Sequence, residues 1–294
     1  MTVAEALRHA TARLNEAGID SPDHDAEVLL RHVLGWDRAR LLVESTTPLR
    51  PEAESSFLAK VVERAGRRPL QHLTGEQWFW RHAFRVTADV LVPRPETELI
   101  VEEALRLLAG QAAPLVVDVG TGSGCIALSI AAERPDAEVW AIDLSPAALD
   151  VARENAGRLG LTNRVRFLSG DLLEPIRDLA ARVDIVASNP PYVDPRAAPG
   201  LAPEVRLFEP ALALFPPGEP YHLYRRLVPQ AAAALRPGGA LVLEIGQGMA
   251  EEVARIAEGA GFRVDRVVPD LQGIPRVVVA HSPGIARPPI PAVD

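Results

Sequence analysis

The feature that most constrains this chain is a regular alternation of apolar, β-branched runs with helical stretches, from about Glu98 to His281. The runs are LVVDV (115–119), EVWAI (138–142), RVRFL (164–168), VDIVAS (183–188), ALVLEI (240–245), FRVDRVV (262–268) and RVVVAH (276–281). Strands that alternate with helices pair in parallel, because each helix carries the chain back across the sheet. The pattern therefore predicts an α/β domain over residues 98–281, with helices on both faces of a mostly parallel seven-stranded sheet.

The last two runs do not fit a parallel arrangement. Only DLQGIP (270–275) separates them, whereas parallel neighbours need a crossover of about a dozen residues or more. We therefore predict that the last strand is antiparallel.

The N-terminal part of the chain has a helical pattern. Thr2 and Glu5 form a capping-box signature, and Pro22 and Pro51 open two further helices that end at glycines. We predict an all-α helical bundle over residues 1–70 and a β-hairpin-like linker over residues 71–97. The proline-rich tail, residues 282–294, is expected to be disordered.

Composition excludes several classes of protein. The chain has 294 residues, a formal net charge of -8 and one cysteine, Cys125. The net charge argues against tight nonspecific binding to nucleic acid, and one cysteine excludes an internal disulfide and a cysteine-built metal site. The acidic start does not resemble a signal peptide, and no apolar run approaches the roughly 20 residues of a spanning helix. We expect a cytoplasmic protein.

A glycine-rich turn, DVGTGSG (118–124), follows the first strand of the α/β domain. Glycine lets the backbone turn sharply and approach a ligand closely. A dinucleotide fingerprint requires its third glycine at the position of Cys125. Glycine at every second position, with Asp118 two residues before the first, instead favours S-adenosylmethionine. A purely structural turn is the alternative.

Carboxylates follow the next two strands. Asp143 ends its strand at a place where an acidic residue accepts both ribose hydroxyls of a nucleoside. The alternative is that Asp143 only helps to start the next helix. Ser145 already suits that capping role, which favours the ligand. After the following strand, Asp171 lies where an aspartate commonly faces an adenine amino group, and the apolar Leu172 is placed to pack on the adenine ring. The alternative is that these residues form an ordinary polar loop.

The fourth strand ends in Ser188-Asn189-Pro190-Pro191-Tyr192. Prolines restrict the backbone and remove N–H donors, which leaves the Asn189 side-chain oxygen and the Pro190 carbonyl as two stiff acceptors. Two acceptors match the two hydrogens of a planar NH2 group, and Tyr192 offers a ring face to the flat group that bears it. The segment predicts methylation of a nitrogen whose lone pair is delocalised.

Taken together, DVGTGSG, Asp143 and NPPY resemble the class I S-adenosylmethionine-dependent methyltransferases, which have a Rossmann-like fold. Within that group, PLQHLTGEQWFW, VLVPRPETE, NPPYV, EVRLFEPALAL and DLQGIPRVV resemble the release-factor glutamine methyltransferases, also called HemK or PrmC. The resemblance covers about residues 1–281. Leu172 stands where many relatives have an aromatic residue, and ALFPPGEPYHLYRRL (213–227) replaces a glycine-rich pattern.

The resemblance implies methylation of the glutamine in the Gly-Gly-Gln loop of class-1 peptide chain release factors, with the N-terminal bundle helping to hold the factor. The implied cofactor contacts are Gly120, Thr121, Gly122, Ser123, Gly124, Asp143, Leu172 and Asn189. The implied substrate site is Asn189, Pro190, Pro191 and Tyr192, of which Asn189, Pro190 and Tyr192 are the catalytic candidates. We expect S-adenosylhomocysteine as product, a monomer, and no metal, membrane or direct nucleic-acid partner.

Two rival classes remain open. NPPY also occurs in methyltransferases of DNA adenine and of guanine in ribosomal RNA, but those enzymes need a basic or target-reading domain. A sister family methylates a ribosomal-protein glutamine and usually differs at Pro95-Glu96-Thr97-Glu98. The second rival class is a non-catalytic module that binds S-adenosylmethionine. The chain retains every motif element, which argues against this class.

Overall fold

The computed structural model describes residues 1–283. The predicted disordered tail therefore lies outside the described residues, except for Ser282 and Pro283. The chain divides into two units: a helical unit of Met1–Glu76 with Gly200–Glu209, and an α/β unit formed by the rest.

The first part of the chain is mostly helical. Its elements are α1 (Val3–Glu16), α2 (Pro22–Leu34), α3 (Arg38–Val43), α4 (Pro51–Ala65), α5 (Leu70–Thr74), β1 (Glu76–Phe79) and β2 (His82–Arg85). The predicted capping box is present at the start of α1, where the Thr2 and Glu5 side chains each accept from the other residue's backbone N–H. Strands β1 and β2 pair in the segment predicted to resemble a hairpin.

The remainder alternates helix and strand, as predicted. Its elements are α6 (Glu98–Leu107), β3 (Leu115–Val119), α7 (Cys125–Glu133), β4 (Glu138–Asp143), α8 (Pro146–Arg158), β5 (Val165–Ser169), β6 (Val183–Ser188), α9 (Pro203–Phe208), α10 (Ala211–Leu214), α11 (His222–Ala234), β7 (Leu235–Glu244), α12 (Ala250–Gly259), β8 (Arg263–Pro269) and β9 (Pro275–His281).

The central sheet has seven strands in the order β5-β4-β3-β6-β7-β9-β8. Strands β3 to β7 pair in parallel, whereas β9 runs antiparallel to both β7 and β8. The prediction of an antiparallel last strand is confirmed. Buried apolar side chains cover both faces of the sheet, so strands such as β3 are buried along their whole length.

The strand order reverses beside β3, which has β4 on one side and β6 on the other. Connections at such a switch point leave the sheet in opposite directions, which opens a crevice beyond the carboxyl ends of the strands. The loops after β3 and β6 therefore meet at this crevice. Among residues 1–283, no helix has both the length and the apolar character needed to cross a membrane.

The helical unit contains a buried ion-pair network. Arg64 on α4 donates from Nε to Asp25 Oδ2 on α2 (2.6 Å) and from Nη1 to Glu204 Oε1 on α9 (2.9 Å). This network brings Gly200–Glu209 into a unit that the sequence had suggested to be residues 1–70 alone. Charge pairing between residues far apart in the chain leaves no local pattern, so sequence periodicity did not indicate it.

We expect Arg64→Ala to destabilise the helical unit by about 3–5 kcal/mol, because it leaves the buried Asp25 carboxylate without its cation. The matched control is Arg68→Ala, since Arg68 pairs with Glu63 and both side chains are 44% exposed; its cost should stay below about 1 kcal/mol. Native-state hydrogen exchange in α2 and α4 measures both. Equal effects of the two substitutions would show that the buried pair has no special role.

Candidate active site

A cavity of about 370 Å³ lies in the α/β unit beyond the carboxyl ends of the strands. Its size falls within the range of about 300–1,000 Å³ that is typical of small-molecule sites. The predicted site residues that line it are Gly120, Thr121, Gly122, Ser123, Asp143, Leu172, Asn189 and Pro191. Three other predicted residues, Gly124, Pro190 and Tyr192, do not line this cavity.

The glycine-rich turn wraps around the end of β4. Gly120 and Gly122 have φ angles of 71° and 55°, in the left-handed region that favours glycine. The backbone N–H groups of Gly120 and Thr121 both donate to the Ile142 carbonyl (2.9 and 3.0 Å). The turn is therefore held against β4 by its own backbone and leaves its outer edge to the cavity.

Gly124 has a packing role in addition to its φ of 83°. A Cβ at this position would lie 2.9 Å from Leu128 Cδ1 and 3.2 Å from Ala152 Cβ. The first distance is shorter than real Cβ contacts and the second is tight, so a side chain at this position would displace Leu128 on α7 or Ala152 on α8. The third glycine of the motif thus supports the helices beneath the turn.

Asp118 is a fully buried carboxylate beside the glycine-rich turn. Its Oδ2 accepts from Thr121 Oγ1 (2.6 Å) and from the Ala127 N–H (3.2 Å). Its Oδ1 is buried with no hydrogen-bond partner among residues 1–283. Burial raises the pKa of Asp118 from 3.8 to about 7. Asp118 is not among the residues that line the cavity, so it acts on the site by holding the turn through Thr121.

Asp143 is held by two backbone donors. Its Oδ2 accepts from the Gly122 N–H (2.8 Å) and its Oδ1 from the Ser145 N–H (2.9 Å). Ser145 itself caps α8, since its side chain accepts from the Ala148 N–H. A carboxylate has about four acceptor positions, so Asp143 keeps capacity for two hydroxyl groups. Burial raises its pKa above the ordinary value.

The loop after β5 holds Leu172 in an unusual conformation. Its φ of 53° is in the left-handed region, which costs a residue with a Cβ roughly 1–2 kcal/mol. Arg226 Nη2 donates to the neighbouring Asp171 Oδ2 (2.5 Å), and all three residues line the cavity. Strain of this kind is commonly found at ligand sites.

Asn189 is anchored through its amide nitrogen. Its Nδ2 donates to Thr97 Oγ1 (3.2 Å), and the Thr97 hydroxyl donates in turn to Glu244 Oε2 (2.6 Å). The amide nitrogen of Asn189 therefore faces Thr97, and the side-chain oxygen does not. Burial raises the pKa of Glu244 to about 7.

Tyr192 packs closely against the loop after β7. A Cβ added at Gly246 would lie 2.9 Å from Tyr192 Cδ2 and 2.8 Å from Met249 Sδ. Gly246 thus makes room for the ring. Burial, followed by the nearby Glu244 charge, raises the pKa of Tyr192 to about 12, so its hydroxyl is neutral at physiological pH.

Sequence reasoning did not select Thr97, Glu244 or Gly246 as site residues. Thr97 lies within VLVPRPETE, which supported the family resemblance and distinguished two related families but gave Thr97 no role of its own. Glu244 lies within the apolar run ALVLEI. An acidic residue inside such a core strand was the one feature of the sequence that could have marked it. A buried charge in such a run needs a partner, and Thr97 is that partner.

We expect Asp118→Asn to weaken the pH dependence of stability. Because the pKa of Asp118 is raised, the folded protein keeps a proton that the unfolded chain releases between about pH 4 and 7. The free energy of unfolding therefore falls as pH rises through this window, by up to about 4 kcal/mol for this group. Asparagine removes that fall while keeping an acceptor for Thr121.

Urea unfolding without cofactor at pH 5 and pH 8 measures the difference. Asp150→Asn is the control, because Asp150 is exposed on α8 and pairs with Arg153, three residues along the same helix. A wild-type pH difference retained in full by Asp118→Asn would contradict the assignment of a raised pKa to Asp118.

Two known protein families match the chain. Residues 5–75 match the PrmC N-terminal domain, and residues 97–256 match the methyltransferase small domain. A solved methyltransferase structure from Pyrococcus furiosus has a TM-score of 0.50, 16% identity and coverage of 78% of this chain and 99% of that one. This likeness concerns the fold alone.

Similar sequences extend along almost the whole chain. The release factor glutamine methyltransferase of Cereibacter sphaeroides is 47% identical over 283 residues, which is 96% of this chain and 99% of that protein. The one of Moorella thermoacetica is 44% identical over 282 residues, again 96% and 99% of the two chains. At this identity and coverage, the chain belongs to the release factor glutamine methyltransferase family.

Proposed function

We propose that this chain transfers a methyl group from S-adenosylmethionine to the side-chain amide nitrogen (N5) of the glutamine in the Gly-Gly-Gln loop of class-1 peptide chain release factors. Family membership along nearly the full chain supports the activity and the substrate. The observation that carries the mechanism is the position of Asn189, which lines the same cavity as the glycine-rich turn. The reaction would occur in the cytoplasm, where release factors act.

The cavity fits the cofactor by its chemistry. Asp143 retains acceptor capacity for the two ribose hydroxyls, and the exposed edge of the glycine-rich turn admits the methionine part without a Cβ in the way. Leu172 and Leu144 provide apolar cover for the adenine ring.

The acceptor side of the site is Asn189-Pro190-Pro191-Tyr192. The Asn189 oxygen and the Pro190 carbonyl accept the two hydrogens of the glutamine amide, and the Tyr192 ring packs on the amide plane. When bound, S-adenosylmethionine supplies an electrophilic methyl group on a positively charged sulfur. The two acceptors orient the nitrogen lone pair toward that group and favour the positive charge that develops on nitrogen.

No strong base is needed at the nitrogen. As the N–C bond forms with the amide lone pair, the S–C bond breaks and its electrons neutralise the sulfur. The methylated nitrogen is then strongly acidic and passes its extra proton to water. The residues of the site therefore act by holding and polarising the amide, which is the role that two fixed oxygen acceptors can perform.

The helical unit is proposed to recognise the protein substrate. It matches the PrmC N-terminal domain, and none of the cavity-lining residues belongs to it. Substrate proteins present the glutamine on a folded surface, so a second contact region adds affinity without changing the chemistry.

The proposed substrate is tested by assaying methyl transfer from labelled cofactor in parallel to a release factor, a ribosomal protein and DNA. We expect label in the release factor alone, at its Gly-Gly-Gln glutamine by mass spectrometry. A release factor with Gln→Glu at that position is the control and should remain unlabelled. Label in the ribosomal protein or DNA instead would replace the proposed substrate with that class.

Substitutions at Tyr192 test how the acceptor is held. Tyr192→Phe should retain the single-turnover rate within about threefold, since the ring and not the hydroxyl packs on the amide. Tyr192→Ala should lose at least a hundredfold, because the amide loses its supporting face. Cofactor affinity from calorimetry provides the control for folding. Equal losses in the two variants would assign the working role to the hydroxyl.

A further inference from the structure

Thr97 and Glu244 form a chain of hydrogen bonds that ends at the Asn189 amide nitrogen, and Thr97 lines the cavity together with Asn189. Thr97 and Glu244 are nearly inaccessible to solvent, at 3% and 2% exposure. They lie 147 residues apart in the sequence, one before α6 and the other at the end of β7. Neither residue has been given a role in the reaction described above.

The direction of this chain follows from the number of hydrogens available. A threonine hydroxyl has one hydrogen and can also accept. Its hydrogen goes to the Glu244 carboxylate, which can only accept while it is ionised, so Thr97 must accept from its other neighbour. The other neighbour is the Asn189 amide, and only its NH2 end can donate.

We propose that Thr97 and Glu244 are positioning residues, which orient the Asn189 amide so that its oxygen is presented to the NH2 group that is methylated. The effect on methylation rests on the proposed function, whereas the orientation of the amide rests on the hydrogen bonds alone. With the amide turned over, two NH2 groups would face each other and the acceptor nitrogen would lose one of its two fixed partners. The ionised Glu244 carboxylate thus sets the direction of the hydrogen bonds from Asn189 through Thr97.

Protonation of Glu244 reverses the direction of these hydrogen bonds. A neutral carboxyl can donate to Thr97, whose own hydrogen then becomes free to be donated to the Asn189 oxygen. Burial and the charge of Glu96 raise the pKa of Glu244 to about 7, against the Thr97 hydrogen bond and the cations of Arg276 and Arg94. The other titratable groups around Glu244 are Tyr192, Tyr224 and Cys125.

These three groups do not titrate near pH 7. Burial raises the pKa of Tyr192 and of Cys125 to about 12 and that of Tyr224 above its ordinary value. Of these four groups, Glu244 is therefore the one whose protonation changes the hydrogen bonds to Thr97 and Asn189 near neutral pH. The single-turnover rate of the wild-type protein should fall as pH decreases below about 7, and Glu244→Gln should lack this fall.

The decisive experiment uses a pair of substitutions whose effects depend on each other. Asn189→Asp places a second acceptor beside Thr97, whose one hydrogen cannot serve two carboxylates. Glu244→Gln then supplies a donor to Thr97 and frees the hydroxyl to donate to Asp at position 189. We expect Glu244→Gln to lower the single-turnover rate at least fivefold in the wild-type background and to raise it at least fivefold in the Asn189→Asp background.

Losses in both backgrounds would overturn the proposal, because a residue that only supports the fold has no reason to change the sign of its effect. Thr97→Val and Thr97→Ser provide a second comparison. Valine has the shape of threonine without its hydrogen bonds and should lower kcat at least fivefold, whereas serine retains the hydroxyl and should stay within twofold. Cofactor affinity by calorimetry should remain within twofold for Glu244→Gln, because Glu244 does not line the cavity.

A readout without substrate separates this proposal from the proposed function. In the free protein, the side-chain NH2 resonances of Asn189 should shift with pH with a midpoint near 7, and Glu244→Gln and Thr97→Val should abolish the shift. If release factors are not methylated, this titration still decides the orientation. If they are methylated and the resonances show no such titration, the proposed role of Glu244 is wrong.

Discussion

The site depends on the parallel pairing of β3 with β6. In their register Val119 lies opposite Ser188, and the Ser188 hydroxyl also donates to the Val119 carbonyl (2.7 Å). The next residues, Gly120 and Asn189, therefore leave the sheet side by side. A shift of one residue would turn the alternate side chains to the other face and separate the proposed methyl donor from its acceptor. The buried register of two strands thus places both halves of the reaction.

Two buried carboxylates lie near this junction, and both have a pKa of about 7. Burial of an ionisable group costs stability unless hydrogen bonds compensate for it. Asp118 keeps one oxygen unpartnered among the described residues, whereas Glu244 has the Thr97 hydroxyl. Asp118 holds the glycine-rich turn through Thr121, and the proposed role of Glu244 is to set the direction of a neighbouring amide. Functional sites commonly hold groups with shifted pKa values for such reasons.

Two segments that depart from the pattern expected of the family both contribute to the cavity. The segment 213–227 lacks the glycine-rich pattern of relatives, yet Phe215, Pro217 and Leu223 from it line the cavity. Leu172 occupies the position of an aromatic residue in many relatives and takes a left-handed conformation. Apolar side chains from different elements can cover a flat ring equally well, because dispersion and apolar burial depend on area and contact rather than on residue identity.

The sequence by itself determined the strand–helix alternation, the antiparallel last strand, the capping box of α1, and the positions of the glycine-rich turn, Asp143 and NPPY. These features are local, since each depends on spacing or on the conformational limits of glycine and proline. The tertiary structure alone decided that Glu204 pairs with Arg64, and that Thr97 joins Glu244 to Asn189. Hydrogen bonds between residues 92 to 147 positions apart follow from how strands and loops meet in space, and no periodicity in the chain records them.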